Sequence, residues 1–215
     1  MARLLDEDVL EVLAAGSATP DPVLTEMTEY GRERDFPIVG PNVGRLMRVV
    51  ARLGNAERIF EFGSGYGYSA AWTGAVLPED GEIHLTDFDE DNLASAREFL
   101  DRLGIGDRAH YHVGDAMDSF GETDGEFDYV LIDHEKTKYS EAFAMARDRL
   151  APGAVVVADN MLAGPVEPAG VRGALEGESA SGATAGVVEY IETVRDDDAF
   201  ETALVPLGEG IAVSV

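Results

Sequence analysis

From Arg58 onward, short apolar runs recur at Ile59–Phe62, Ile83–Thr86, Ala109–Val113, Tyr129–Ile132 and Ala154–Ala158. Helix-compatible stretches lie between them, at Tyr68–Leu77, Asp91–Leu103, Asp115–Phe120 and Thr137–Leu150. This alternation constrains the fold more than any other feature. Successive parallel strands each need a crossover, so the pattern predicts βαβ units, a parallel sheet and right-handed connections. The pattern changes at both ends. Residues 1–55 read as a helical N-terminal extension: Asp6 to Ala15, a helix opened by Asp21-Pro22 and running to about Arg34, a linker from Pro37 to Pro41, and a helix from Asn42 to Leu53. In the tail, Ala185–Arg195 reads as a helix, and Phe200–Val205 and Gly210–Val215 as strands joined by Pro206–Glu209. Strands joined so tightly pair antiparallel, so the sheet ends in an antiparallel hairpin. Residues 163–186, rich in Gly, Ala and Ser and without an aromatic residue, read as a flexible loop. The length of 215 residues fits a single α/β domain.

The charge limits the partners. The chain has 42 acids against 16 bases, a net charge of −26. A nucleic-acid partner needs clustered Lys and Arg and is excluded, and an anionic membrane is disfavoured for the same reason. The acids dot nearly every segment, and the bases are 14 Arg and only 2 Lys. That surface suits a salt-rich cytoplasm, where molar salt shortens the Debye length to about 3 Å. With no cysteine, neither disulfides nor thiolate metal sites can form. The acidic start, Met1 to Leu13, has the wrong sign for a signal peptide, and no stretch approaches the ~18 apolar residues of a membrane span. The expected location is cytoplasmic and the expected partner a small-molecule substrate; a homodimer is compatible with this reading.

Glu61-Phe-Gly63-Ser-Gly65-Tyr-Gly67 follows the first strand and opens a helix. Its spacing is G-x-G-x-G, with Tyr68 where a dinucleotide loop wants its third Gly, so a pyrophosphate cradle is disfavoured against another nucleotide-like ligand. Asp87 ends the second strand, where a carboxylate can accept the two ribose hydroxyls of a ligand lying over the loop. Helix capping is the competing role, although Asp89 would serve as well. Gly114-Asp115-Ala116 ends the third strand, at a place suited to reading an adenine edge.

The next two strands exit into acids, Asp133-His134-Glu135-Lys136 and Asp159-Asn160. Ligand crevices in open α/β sheets lie at the carboxyl ends of strands, so Asp133, Asp159 and Asn160 face the same crevice as the glycine loop. Two carboxylates and an amide are hard oxygen ligands suited to a divalent cation, Mg2+ first and Mn2+ or Ca2+ as alternatives. Here too, caps at strand–helix junctions are the competing reading. Both lysines, 136 and 138, sit just beyond this strand in a chain that otherwise uses Arg. Arg replaces Lys as a charge but not as a base, which makes Lys136 the candidate general base. His84, His110 and His112 read as structural, without partners at metal-ligand spacing. His134 falls in the site by position.

Taken together and in this order, Asn42-Val-Gly44, Glu61-Phe-Gly-Ser-Gly-Tyr-Gly-Tyr-Ser-Ala70, Gly114-Asp-Ala116, Phe127-Asp-Tyr-Val-Leu-Ile-Asp-His-Glu-Lys136, Ala158-Asp-Asn160 and Pro206-Leu-Gly-Glu-Gly210 resemble the cation-dependent class I O-methyltransferases, the family of catechol and caffeoyl-CoA O-methyltransferase. The resemblance runs from about Pro41 to the C-terminus. It implies a Rossmann-like, seven-stranded sheet of order 3-2-1-4-5-7-6. It also implies S-adenosylmethionine as cofactor, its methionine part held by Glu61, Gly63, Gly65 and Ser69. Asp87 would hold the ribose, Val43 would add backbone contacts, Asp115 and Ala116 would form the adenine pocket, and Asp133 would lie beside the cofactor. Asp133, Asp159 and Asn160 match the metal ligands and Lys136 the catalytic base. The implied reaction is methylation of a hydroxyl in a catechol-like or vicinal-diol molecule. An NAD-dependent oxidoreductase is one alternative, against which the missing third glycine counts. A non-catalytic nucleotide-binding sensor is another, against which the complete acid–amide–lysine set counts. The chain departs from the family at Glu135, where catechol enzymes carry an aromatic residue, at Ala163-Gly164 after the second acid, and at Ile191, where the family has Asn. Glu201 is a further candidate for the substrate pocket.

Overall fold

The computed structural model describes residues 4–215, so the first three residues of the acidic start lie outside the described residues. The strands are β1 (Arg58–Phe62), β2 (Glu82–Asp87), β3 (Ala109–Val113), β4 (Phe127–Ile132), β5 (Leu150–Ala158), β6 (Thr202–Val205) and β7 (Ile211–Ser214). They form one seven-stranded sheet of order β3-β2-β1-β4-β5-β7-β6. The first five pair in parallel, and β7 pairs antiparallel with both β5 and β6. The expected order and the antiparallel end are both present. The strand order reverses between β1 and β4, which places the ligand crevice at their carboxyl ends.

Strand periodicity of two splits the core into two layers. Ile59, Ile83, Leu85, Tyr129, Leu131, Val155 and Val157 face one side, under helices α3 (Gly40–Leu53), α4 (Tyr68–Thr73) and α5 (Glu90–Arg102). Phe60, Phe62, Val130, Ile132, Val156 and Ala158 face the other, under α6 (Ala116–Glu122), α7 (Tyr139–Arg147) and α9 (Gly182–Arg195). The N-terminal helices α1 (Glu7–Gly16) and α2 (Pro22–Glu33) precede them. Asp21 caps α2 through Val23 N at 2.8 Å, with Pro22 in the first turn, the arrangement that the Asp-Pro pair predicts. The stretch read as a linker ends early, because Gly40 and Pro41 already belong to α3. Among the described residues, no helix is long and apolar enough to cross a membrane.

Two expectations need correction. Residues 163–186 are not one structureless loop: they contain α8 (Pro168–Leu175) and the first turn of α9, and Val166, Val171 and Gly173 are buried. Small residues allow that close packing, which a compositional reading takes for looseness. The three histidines of β2 and β3 are also not isolated. His84 pairs with His110 in the parallel register, Glu82 shares their face, and His84 Nδ1 lies 3.0 Å from His112 Nε2. Burial pushes the His84 imidazole down to about 4.

Candidate active site

A cavity of about 960 Å³ opens at the carboxyl ends of β1, β2, β4 and β5. Its floor is the β1–α4 turn. Gly63 and Gly65 take positive φ of 85° and 50°. A methyl group at Gly63 would sit 2.7 Å from the Asp133 carbonyl oxygen, and one at Gly65 would sit 2.8 Å from the Phe36 ring. Both positions therefore need glycine for conformation and for space. The turn is pinned from β2: Gly63 N donates to Thr86 Oγ1 at 3.0 Å, and Gly65 N to Asp87 Oδ2 at 3.0 Å. Asp87 Oδ1 accepts from Asp89 N and from Asn92 Nδ2, so this carboxylate holds the loop and faces the cavity at once.

Glu61 lies beneath this floor, fully buried, with Ser69 Oγ donating to its Oε2 at 3.1 Å. Its Oε1 has no hydrogen-bond partner. Burial pushes the carboxyl up to about 8. An orphaned buried acceptor under a glycine cradle fits a cationic group of a ligand.

On the other side, Asp133, Lys136, Asp159 and Asn160 all line the cavity. Asp133 Oδ1 accepts from Lys136 Nζ at 3.0 Å, and Lys136 Nζ also donates to Tyr139 Oη at 2.6 Å. Tyr139 is buried, which pushes its hydroxyl well above the usual phenol range and keeps it protonated. Burial raises Asp133, and it pushes Asp159 up to about 8 with the Asp133 charge adding to it. Asp159 Oδ1 is buried without a hydrogen-bond partner. Two acids disfavoured as anions in one cavity, one with an orphan oxygen, suit a divalent cation. Asn160, at φ 63°, donates through Nδ2 to Glu209, which also lines the cavity. His134 lines it too, stacked on Tyr139 with ring centroids 5.6 Å apart and both ring nitrogens unpartnered.

Gly63, Gly65, Ser69, Asp87, Ala116, Asp133, Lys136, Asp159 and Asn160 are thus brought to one cavity. Three expected residues do not line it: Glu61, sealed beneath the floor, Asp115 and Val43. The Asp115 carboxylate caps α6 through Met117 N at 2.8 Å and accepts from Lys138 Nζ at 3.0 Å. Val43 is buried in the core against the turn at Gly208, and Val39, one helical turn earlier, lines the wall. Glu201 and Ile191 border a separate small cleft near the β6 edge. Sequence reasoning missed Glu209, the wall built by Arg32, Phe36 and Val39, and the buried Tyr139 that accepts from Lys136. The turn Leu207–Gly210 carried the only signal for Glu209, and it says nothing of its pairing with Asn160.

The O-methyltransferase family pattern matches residues 15–215. The chain is 32% identical to a catechol O-methyltransferase of Niastella koreensis over 148 residues, 66% of this chain and 67% of that protein. The crystal structure of the O-methyltransferase TomG from Streptomyces achromogenes, in complex with SAM, superposes with a TM-score of 0.83 at 26% identity, covering 97% of this chain and 95% of TomG. An O-methyltransferase from Bacillus cereus in complex with SAH shares the fold at TM-score 0.84 and 22% identity, over 97% of this chain and 96% of its own. The fold, the site and these similarities together make the chain a member of the O-methyltransferase family, an enzyme with a Rossmann-like methyltransferase sheet.

Proposed function

We propose that this enzyme transfers a methyl group from S-adenosylmethionine to a hydroxyl oxygen of a small catechol-like or vicinal-diol molecule. A divalent cation, Mg2+ in the first instance, is held by Asp133, Asp159 and Asn160, and Lys136 is the base. The carrying observation is that the Lys136 amine and this oxygen set share one cavity with the glycine loop. The orphan oxygens of Glu61 and Asp159 support it, one suited to an ammonium and the other to a cation.

When bound, the cofactor supplies a methyl group on a sulfonium, and the cation supplies Lewis acidity that favours an ionised substrate oxygen. The chain's residues do the rest. With the cofactor bound, Asp87 would accept from the ribose hydroxyls, Glu61 would serve the amino group of the methionine part, and Ala116 would pack beside the adenine. Lys136 takes the hydroxyl proton at Nζ. Asp133 and Tyr139 hold that nitrogen from two sides, and His134 and Glu135 shape the substrate wall. Alignment of the acceptor oxygen with the methyl group carries much of the rate.

The test is turnover of a panel of diols with labelled S-adenosylmethionine. Activity should disappear with a chelator and return with Mg2+ or Mn2+. Asp133→Ala and Asp159→Ala should mimic chelation while the circular dichroism of the folded sheet persists. Full turnover in metal-free buffer would overturn the cation's role. Absence of labelled product from every diol would overturn the substrate class.

A further inference from the structure

We propose that Glu82, His84 and His110 form a second metal site, specific for a nitrogen-preferring divalent ion such as Zn2+, which clamps the edge strand β3 onto β2. Their ligand atoms all lie within 4.8 Å of one another. Glu82 Oε1 is 3.3 Å from His84 Nε2, and Glu82 Oε2 is 3.2 Å from His110 Nε2. Ligand atoms around a tetrahedral ion with bonds of about 2.0–2.1 Å are separated by roughly 3.3 Å, and the three donors, all within 4.8 Å of one another, would draw in modestly around it.

The individual residues fit the role. His84 is 5% exposed, and its buried Nε2, 3.3 Å from Glu82 Oε1 but in no aligned hydrogen bond, is an atom that a metal would satisfy. Its other nitrogen, Nδ1, lies 3.0 Å from His112 Nε2. Donation from Nδ1 to His112 leaves the Nε2 lone pair free, the way an outer partner fixes the tautomer of a metal-ligating histidine. His84 and His110 stack with centroids 4.7 Å apart and present their Nε2 atoms to the same carboxylate. Arg58 Nε donates to Glu82 Oε1, which orients the carboxylate and leaves Oε2 facing His110. The His110 side chain is 50% exposed, giving an entry path and room for a water as fourth ligand. Two imidazoles and one carboxylate select Zn2+, Ni2+ or Cu2+ over Mg2+ and Ca2+, which prefer oxygen alone.

The site is separate from the crevice. Glu82 begins β2 and Asp87 ends it, roughly 16 Å apart at the usual strand rise. Its role follows from its place: β3 is the terminal strand of the sheet, held on one side by β2, and the site joins these two strands by side chains.

The experiment uses the full chain, stripped of metal and held in excess Mg2+ to occupy the oxygen-rich crevice. Zn2+ is titrated by calorimetry, melting temperature is followed with Zn2+ concentration, and Co2+ absorption reports geometry. One equivalent of Zn2+ should bind, the melting temperature should rise with its concentration, and Co2+ should give the strong visible bands of a tetrahedral nitrogen-containing site. His110→Ala, at a half-exposed position that leaves the core intact, should weaken Zn2+ by more than about tenfold and abolish the melting shift. Glu82→Gln gives a second measure of the same loss. Zn2+ affinity unchanged in His110→Ala, or no Zn2+ binding under saturating Mg2+, overturns the proposal.

Discussion

The Glu209 carboxylate accepts a hydrogen bond from the side-chain amide of Asn160, which orients that amide. The nitrogen must face the carboxylate, so the carbonyl oxygen of Asn160 is the atom left for a cation. Glu209 thereby acts as an outer partner of the proposed metal set. Glu209→Ala should raise the Mg2+ concentration for half-maximal activity by roughly 10–100-fold and leave S-adenosylmethionine affinity unchanged. A Mg2+ titration equal to that of the native enzyme would remove Glu209 from this role.

Lys136 separates a base from a mere charge. Its amine touches Asp133 and Tyr139, contacts that an Arg could partly reproduce. If Lys136 takes the substrate proton, Lys136→Arg should lose roughly 10²–10⁴ in kcat, almost as much as Lys136→Met. Cofactor binding should survive in both. Near-normal turnover by the Arg variant would show that positive charge alone is required.

Glu61 links the site to stability. Its folded carboxyl is pushed up to about 8 from an ordinary 4.5, so the folded state holds a proton that the unfolded chain has lost between those values. Stability of the ligand-free protein therefore falls as pH rises through that window, by roughly 1.4 kcal/mol per unit at most. Glu61→Gln should flatten this slope and melt higher than the native chain near pH 8. The same variant should bind S-adenosylmethionine more weakly, by roughly 1–3 kcal/mol, since Gln cannot ionise to face the ligand's ammonium as the carboxyl can. Thermal melts across pH and a cofactor titration decide both halves; a parallel pH slope in the two proteins would refute the burial argument.

The net charge of −26 predicts salt dependence. Removing salt leaves the acids less screened, so the melting temperature should climb steadily from dilute buffer to molar KCl. A melting temperature flat over that range would show that the surface charge is an ordinary acidic balance.

The element order and the strand exits were legible in sequence because they depend on local periodicity. An apolar run that ends in Asp87, Asp133 or Asp159 puts an acid at the carboxyl end of a parallel strand, whatever the exact register. The glycine loop was legible for a related reason: positive φ and a close backbone approach leave little choice of residue at Gly63 and Gly65. Side-chain direction was less legible. Asp115 reads as an adenine contact by its position, and only the folded chain shows its carboxylate accepting from Met117 N and Lys138.

The sequence by itself determined the strand–helix alternation, the antiparallel end and the acids, amide and lysine at the strand exits, since each is written within a few neighbouring residues. Tertiary structure alone decided the partners separated by long stretches of chain. Glu209 reaches Asn160 across 49 residues, Val39 rather than Val43 faces the cavity, and the register of β2 on β3 sets His84 beside His110. A contact between distant segments depends on how whole elements dock. That docking is fixed by the summed burial of two core layers, which no local pattern encodes.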